Sequence, residues 1–340
     1  MLENTILTQA SRQWSSRPND ERFVNLLDIQ MHMQTVRDAS RAKAISNRRL
    51  EFRPAGDDQA MGLVALADGV DLLNPTHWSF GQVAALAKAP ARYLRKLPAP
   101  IAADCLNYNL KYDRDVEDIG ILMTERNEND GLEGGTGVSL RAATGPNYGR
   151  VWNSDICDAL VNKFGDGING DFRVPGEFGQ EVEVTKENTT IYGSDRDMFV
   201  FLADENNRIE IPNRRDGKTG SLTRGFFVWN SEVGSQSLGA AFFLFDYVCM
   251  NRIVWGVDQF HEVRIRHSSG APDRWLEEIT PILLEYSKAS AAPVVEAIEN
   301  ARASRLDDVN VFLSERFGAK MAVNLKDRHM AEEGRPIETL

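Results

Sequence analysis

The chain is 340 residues long, with 39 Lys and Arg against 50 Asp and Glu, so it carries a net charge of −11. A hydrophobic fraction of 42% supports a sizeable core, whereas the acidic balance argues against general, sequence-blind nucleic-acid binding, which needs Lys and Arg to neutralise phosphates. The three cysteines, Cys105, Cys157 and Cys249, are dispersed and odd in number, which argues against a disulfide scaffold or zinc ribbon and reads as reduced thiols in the cytoplasm.

Residues 1–20 read as a flexible arm that docks through Trp14. The N-terminus has no basic stretch followed by an apolar one, so no signal peptide is expected, and no apolar run reaches the roughly 18 residues of a membrane helix. Residues 21–130 read as an N-terminal α/β part. A helix follows Arg22, with Leu27, Met31 and Thr35 on one face. Arg41, Lys43, Arg48, Arg49 and Arg53 then form a basic run against the acidic whole. Leu50–Arg53 alternates like a strand, and Met61–Ala67 is a second short apolar run.

Residues 79–110 make a clearer unit. Ser79 caps a helix with Val83, Leu86 and Ala87 at helical spacing, and Ala89-Pro90 breaks it. Ala91–Leu97 restarts it, with Tyr93, Leu94 and Leu97 inward and Arg92, Arg95 and Lys96 outward; Pro98 and Pro100 stop it, and Ala102–Leu110 follows. This order resembles a helix-turn-helix, with Arg92, Arg95 and Lys96 as its candidate contacts, although a small bundle packed on the main domain explains the same pattern.

Asp113–Asp130 is acidic and partly linker-like. Residues 131–270 read as a β-rich core with strands at Val138–Ala142, Glu181–Thr185, Thr189–Tyr192, Met198–Ala203 and Arg208–Ile211, and one helix at Ser154–Phe164 capped by Asn153 or Ser154. Residues 271–320 form a C-terminal helical segment with apolar stripes at Trp275, Ile279, Ile282 and Leu283, at Val294, Ile298 and Ala301, and at Val309, Phe312, Leu313 and Phe317. Residues 321–340 read as a frayed tail. The expected fold class is α+β: a central, mostly antiparallel sheet with an N-terminal helix-turn-helix-like unit and a C-terminal helical segment.

No catalytic motif survives inspection. Gly217-Lys218-Thr219 ends like a phosphate loop, but Pro212 stands where that loop needs its first glycine. Gly131–Gly137 lacks the spacing and the βαβ context of a dinucleotide site. His261 and His267 share one face of an expected strand, without a metal-ligand spacing. Asp195 and Asp197 read as a charged turn as readily as a carboxylate pair. No catalytic residue, metal ligand or cofactor is assigned, and a non-enzymatic role is expected.

The Arg208–Arg224 segment is more informative. Five cations, Arg208, Arg214, Arg215, Lys218 and Arg224, stand against two carboxylates, Glu210 and Asp216. Arginines and glycine N–H groups suit phosphate, and aromatics beside cations suit a single-strand groove. Arg208, Arg214, Arg215, Lys218, Arg224, Phe226, Trp229 and Arg252 are therefore the candidate nucleic-acid contacts. In strict alternation Phe227 and Trp229 share one strand face and Phe226 and Val228 the other, so at most one set is free.

RAATGPNYGRVWNSDICDAL from Arg141, RVPGEFG from Arg173, RIEIPNRRDGKTGSLTRGFFVWNSEVGS from Arg208 and FLFDYVCMNRIVWG from Phe243 together resemble the phage/plasmid-like family known as domain of unknown function 932. The likeness runs from about Arg22 to Arg305, with Trp229–Ser235 and the Cys249-x-Asn251 corner as its signature points; Arg252 stands where many relatives carry glycine. It implies an origin on a mobile genetic element and carries over no catalytic residue. The first expectation is single-stranded DNA or RNA binding or annealing in recombination or replication, as a homo-oligomer. The alternatives are an anti-defence or regulatory factor that binds a host or phage protein through an acidic surface, and an enzyme with a dispersed site.

Overall fold

The computed structural model describes residues 13, 16–55, 63–67, 71–113, 115–126, 137–176, 183–211, 220–246, 254–255, 262–290 and 292–339. Trp14 lies outside them, but the chain is tied down within the expected arm, because Arg17 pairs with Glu21 at 2.7 Å and with Asp197 at 2.6 Å. Strand β1 (Arg22–Phe23) and helix α1 (Leu26–Asp38) follow. Asn25 caps α1 by accepting from the Asp28 N–H at 2.8 Å. The helix buries Leu26, Ile29 and Met33, and the Leu27–Met31 face points to solvent.

A six-stranded sheet comes next, built from β2 (Ser40–Ser46), β3 (Leu50–Pro54), β4 (Leu63–Ala67), β5 (Asp71–Pro75), β6 (Asp118–Arg126) and β7 (Gly137–Thr144). Its order is β2-β6-β7-β5-β4-β3, antiparallel except for the β5–β7 pair. Sheet membership therefore crosses the expected boundary at residue 130. The acidic stretch read as a linker supplies β6 instead. Its carboxylates sit near the strand ends, while Ile119, Ile121 and Met123 line a core on one face and Leu122 faces the other way.

Helices α2 (His77–Leu86), α3 (Ala91–Leu94) and α4 (Ala99–Tyr108) cover that core face, burying Val83, Ala84, Leu94, Ala103 and Leu106 against Phe52 and Leu140. The α2 cap is Thr76 rather than Ser79, whose hydroxyl is buried and donates to the Leu140 carbonyl at 2.6 Å. The helix-turn-helix reading does not hold. Helix α3 has four residues, about 6 Å of helix, too short to lie along a DNA groove, and Tyr93 is 58% exposed rather than inward. Asn107 on α4 donates to the Phe52 carbonyl at 2.8 Å and accepts from its N–H at 2.7 Å, which closes the free edge of β3.

After helix α5 (Asn153–Phe164), β8 (Phe172–Arg173), β9 (Ile191–Gly193), β10 (Met198–Asp204), β11 (Ile209–Ile211), β12 (Gly220–Asn230), β13 (Leu238–Asp246), β14 (Val254–Trp255) and β15 (Glu262–Ile265) join β1 in a nine-stranded antiparallel sheet. Residues 183–185 of the expected Glu181–Thr185 strand are not strand; they form a turn region where Asn188 accepts from the Thr185 N–H. Helix α6 (Ala271–Arg274) runs on through Trp275–Ile279 into α7 (Thr280–Lys288). Helices α1, α5 and this C-terminal run pack on one face of the sheet, where Trp275, Ile279 and Leu283 meet Phe226, Val228 and Phe242. Helices α8 (Ala292–Ala303), α9 (Val309–Phe317) and α10 (Ala319–Glu333) finish the chain. The expected frayed tail is thus largely helix, and beyond α10 Glu338 accepts from the Leu306 N–H at 2.9 Å. Among the described residues, no helix is long and apolar enough to cross a membrane.

Candidate nucleic-acid interface

The alternation expected of β12 is present, and both of its faces are buried. Phe226 is 1% exposed and packs with Phe164, Phe172 and Phe242 under the helices. Trp229 and Phe227 are buried on the opposite face with Phe199, Phe201 and Phe243. Neither Phe226 nor Trp229 can stack on a base without opening the core. Arg224 is also interior: it pairs with Asp204 at 2.8 Å and donates to the Ala289 carbonyl, joining the sheet to the end of α7. Arg208 is exposed and its Nε donates to the Glu205 carbonyl at 2.9 Å. Arg214, Arg215, Lys218 and Arg252 lie outside the described residues, as do Gly217 and His261. Asp195 and Asp197 do not act as a pair; Asp195 neighbours Arg196 while Asp197 binds Arg17 and Ser194.

The signature segment that follows Trp229 is a polar joint between the two sheets. The register of β6 and β7 slips at Arg141, so that Met123 faces Leu140 and Leu122 faces Ala142. This bulge turns both Arg141 and Ala142 away from the helices. Arg141 reaches Glu232 at 3.0 Å and the Asp195 carbonyl at 3.1 Å. Glu232 also accepts from the Asn153 N–H at 2.8 Å, which supplies the cap that no side chain of α5's own sequence provides. Asn230 donates to the Val151 carbonyl and the Asn153 side chain, each at 2.8 Å. From the six-stranded side, Trp78 and Gln82 donate to the Val233 carbonyl at 3.0 and 2.7 Å. Tyr148 donates to the Ser231 carbonyl at 2.7 Å, and burial pushes its hydroxyl well above the usual phenol range. Most of these groups are paired within the cluster, whereas Arg141 Nε and Nη1 and Asn230 Oδ1 are buried without a hydrogen-bond partner among the described residues.

The exposed aromatics lie elsewhere. On α4, Ile101, Asp104 and Tyr108 form an outward stripe that Tyr112 continues at a four-residue spacing. Tyr108 is 62% and Tyr112 75% exposed, with ring centroids 5.7 Å apart. Lys111 stands between them in sequence and bonds Glu51 at 3.0 Å; Glu51 also holds Arg53 at 2.8 Å. The charge-assisted hydrogen bonds from Arg53 and Lys111 hold the Glu51 carboxyl below the usual range. Arg53 belongs to the basic run whose Arg41, Lys43 and Arg49 are exposed as well, Arg41 being paired with Glu125. Sequence reading noted that run but not the tyrosines; the visible signal was the spacing of Ile101, Tyr108 and Tyr112 on one helix face. Of the candidate cations on and just after α3, Arg92 and Lys96 are exposed, and Arg95 is half-buried over the Phe80 ring.

Fold and surface together define an α+β protein of two joined sheets with an exposed cation–aromatic face. Residues 178–320 match the family described as Domain of unknown function (DUF932). The matched residues include the Trp229–Ser235 joint and exclude the Tyr108–Tyr112 face. No curated protein and no solved structure matches the chain.

Proposed function

We propose that the protein binds single-stranded DNA or RNA without catalysis, in recombination or replication of a mobile element. The observation that carries this reading is the solvent-facing Tyr108–Tyr112 pair, with Lys111 between them in sequence and linked through Glu51 to Arg53 of the basic run. Bases stack on such rings whatever their identity, while the cations track the backbone. A local basic face also reconciles binding with the acidic whole. Annealing further calls for an oligomer, and exposed Val311, Phe317, Met321 and Val323 on α9 and α10 offer apolar area for one.

The test is anisotropy of labelled oligodeoxythymidine and oligouridine at low salt, where electrostatic attraction is strongest. The proposal expects binding that weakens with salt by about 0.7 log units per log salt for each phosphate contact. No binding by the wild-type protein at low salt sinks the idea and favours a protein partner.

A further inference from the structure

The unit that failed as a helix-turn-helix has an unused cavity. Between α2, the short α3 and the start of α4 lies a pocket of ≈ 190 Å³. Its lining is largely apolar, with Leu63, Phe80, Leu94 and Leu97, and Thr76, His77 and Arg95 supply the polar part. The Arg95 guanidinium is held in place: Nη2 donates to the His77 carbonyl at 2.7 Å, and the group lies 4.9 Å from the Phe80 ring centroid. A pocket with a fixed cation and a greasy floor recognises an apolar group that carries a carboxylate nearby.

The surrounding charge favours the same chemistry. From Leu72 to Ala103 the chain has no Asp or Glu, and it carries Lys88, Arg92, Arg95 and Lys96 in a protein of net charge −11. Lys88, Arg92 and Lys96 are exposed, and no ion pair of theirs occurs among the described residues. We propose that this pocket is a peptide-docking site: it takes one large apolar side chain of an acidic segment of a partner protein, with Arg95 on the adjoining carboxylate and Lys88, Arg92 and Lys96 on flanking acids. A nucleobase suits the site less well. Its polar edge needs several hydrogen bonds, and beyond Thr76, His77 and Arg95 the lining residues Leu63, Leu94, Leu97 and Ala102 leave such groups unpaired at a desolvation cost. Nothing in this argument depends on the single-strand face of the Proposed function.

The probe is a fluorescein-labelled peptide of five aspartates ending in phenylalanine, compared with the same peptide ending in serine, at low salt with the full chain. Binding of the phenylalanine peptide is expected to be about ten-fold or more tighter. Arg95→Gln is expected to remove most of that preference. Ala99→Leu, which crowds the pocket mouth without altering Arg95, is expected to do the same, and equal melting temperatures for the three proteins show that the fold is intact. Equal binding of the two peptides, or no binding, overturns the proposal, as does an undiminished preference in both variants. Displacement of the peptide by oligodeoxythymidine as effective as by unlabelled peptide also overturns it, because the site then belongs to a nucleic-acid face.

Discussion

Arg141 and Glu232 meet at 3.0 Å with side chains only 2% and 1% exposed, and they join the two sheets of the molecule. A buried pair of this kind contributes little over an apolar substitute, but breaking one half is expensive because the other charge is left without its partner. Glu232→Ala also uncaps α5 by removing the acceptor for the Asn153 N–H. We expect Glu232→Ala to cost about 3–5 kcal/mol, read from urea unfolding. The double substitution Arg141→Met with Glu232→Leu is expected to recover part of the loss; a double variant as unstable as the sum of its singles contradicts this account.

Phe226 and Tyr112 separate folding from binding. Phe226 is packed among aromatic rings in the core, so Phe226→Ala is expected to cost about 3–5 kcal/mol of stability. Tyr112→Ala removes an exposed ring and is expected to leave the melting temperature within about a degree or two, a surface effect being worth roughly 0.5 kcal/mol or less. It is expected to cost about 1–3 kcal/mol in oligonucleotide affinity. Thermal melts paired with anisotropy curves check both. A Tyr112→Ala protein that binds as tightly as wild type removes the stacking surface from the proposal.

What could be read in the residues depended on whether the signal was local. The period-two pattern of β12 was visible, because Phe226 with Val228 and Phe227 with Trp229 alternate within the strand itself. That both faces are buried was not visible, since Phe226 meets Phe164 and Phe172 and Phe227 lies beside Phe199 and Phe243, all distant from it in the chain. β6 was hidden for the opposite reason: Asp118, Glu125 and the surrounding acids outweighed the alternation of Ile119, Ile121 and Met123. The role of Arg141 could not be inferred at all, because a bulge exists only relative to a partner strand. The stripe of Ile101 and Tyr108 on α4, continued by Tyr112 just beyond it, was in plain sight, but only its exposure to solvent gives it meaning.

Glu51 restrains two cations of the proposed interface, so its removal has a predictable sign. Glu51→Gln frees Arg53 and Lys111 for phosphate. Tighter oligonucleotide binding is expected at pH 7, with a salt slope steeper by about 0.7 for each cation that gains a contact. The carboxyl is held below its usual range by those two partners, so the bridge is fully formed above about pH 4.3 and is lost only as the pH falls through the lower folded value. The wild-type restraint is therefore constant from neutral to mildly acidic pH. Salt titrations of the two proteins at pH 7 check this, and an unchanged slope places the phosphate path away from Arg53 and Lys111.

His267 gives the fold a pH dependence of its own. Its Nδ1 lies 3.0 Å from the Gly149 carbonyl, an acceptor, so Nδ1 carries the proton and Nε2 is the bare nitrogen of the neutral ring. The ring stacks on Tyr148 with centroids 4.9 Å apart, and its Nε2 is buried without a hydrogen-bond partner among the described residues. Burial lowers its pKa first, and the nearby Arg150 guanidinium adds to that, against opposing contributions from the backbone of Gly149 and of Gln236. The unfolded chain titrates near 6.5 and thus takes up a proton at a pH where the folded chain does not. Stability is whole above about 6.5, declines as the pH falls below that value, and stops declining from this group once the pH has passed the lower folded value. Urea midpoints at pH 8, 7, 6 and 5.5 are expected to drop over the acidic half of this series in the wild-type protein, and to drop less in His267→Gln. Its amide can still donate to the Gly149 carbonyl but has no proton to gain. Parallel curves for the two proteins show that other groups set the acid sensitivity of the fold.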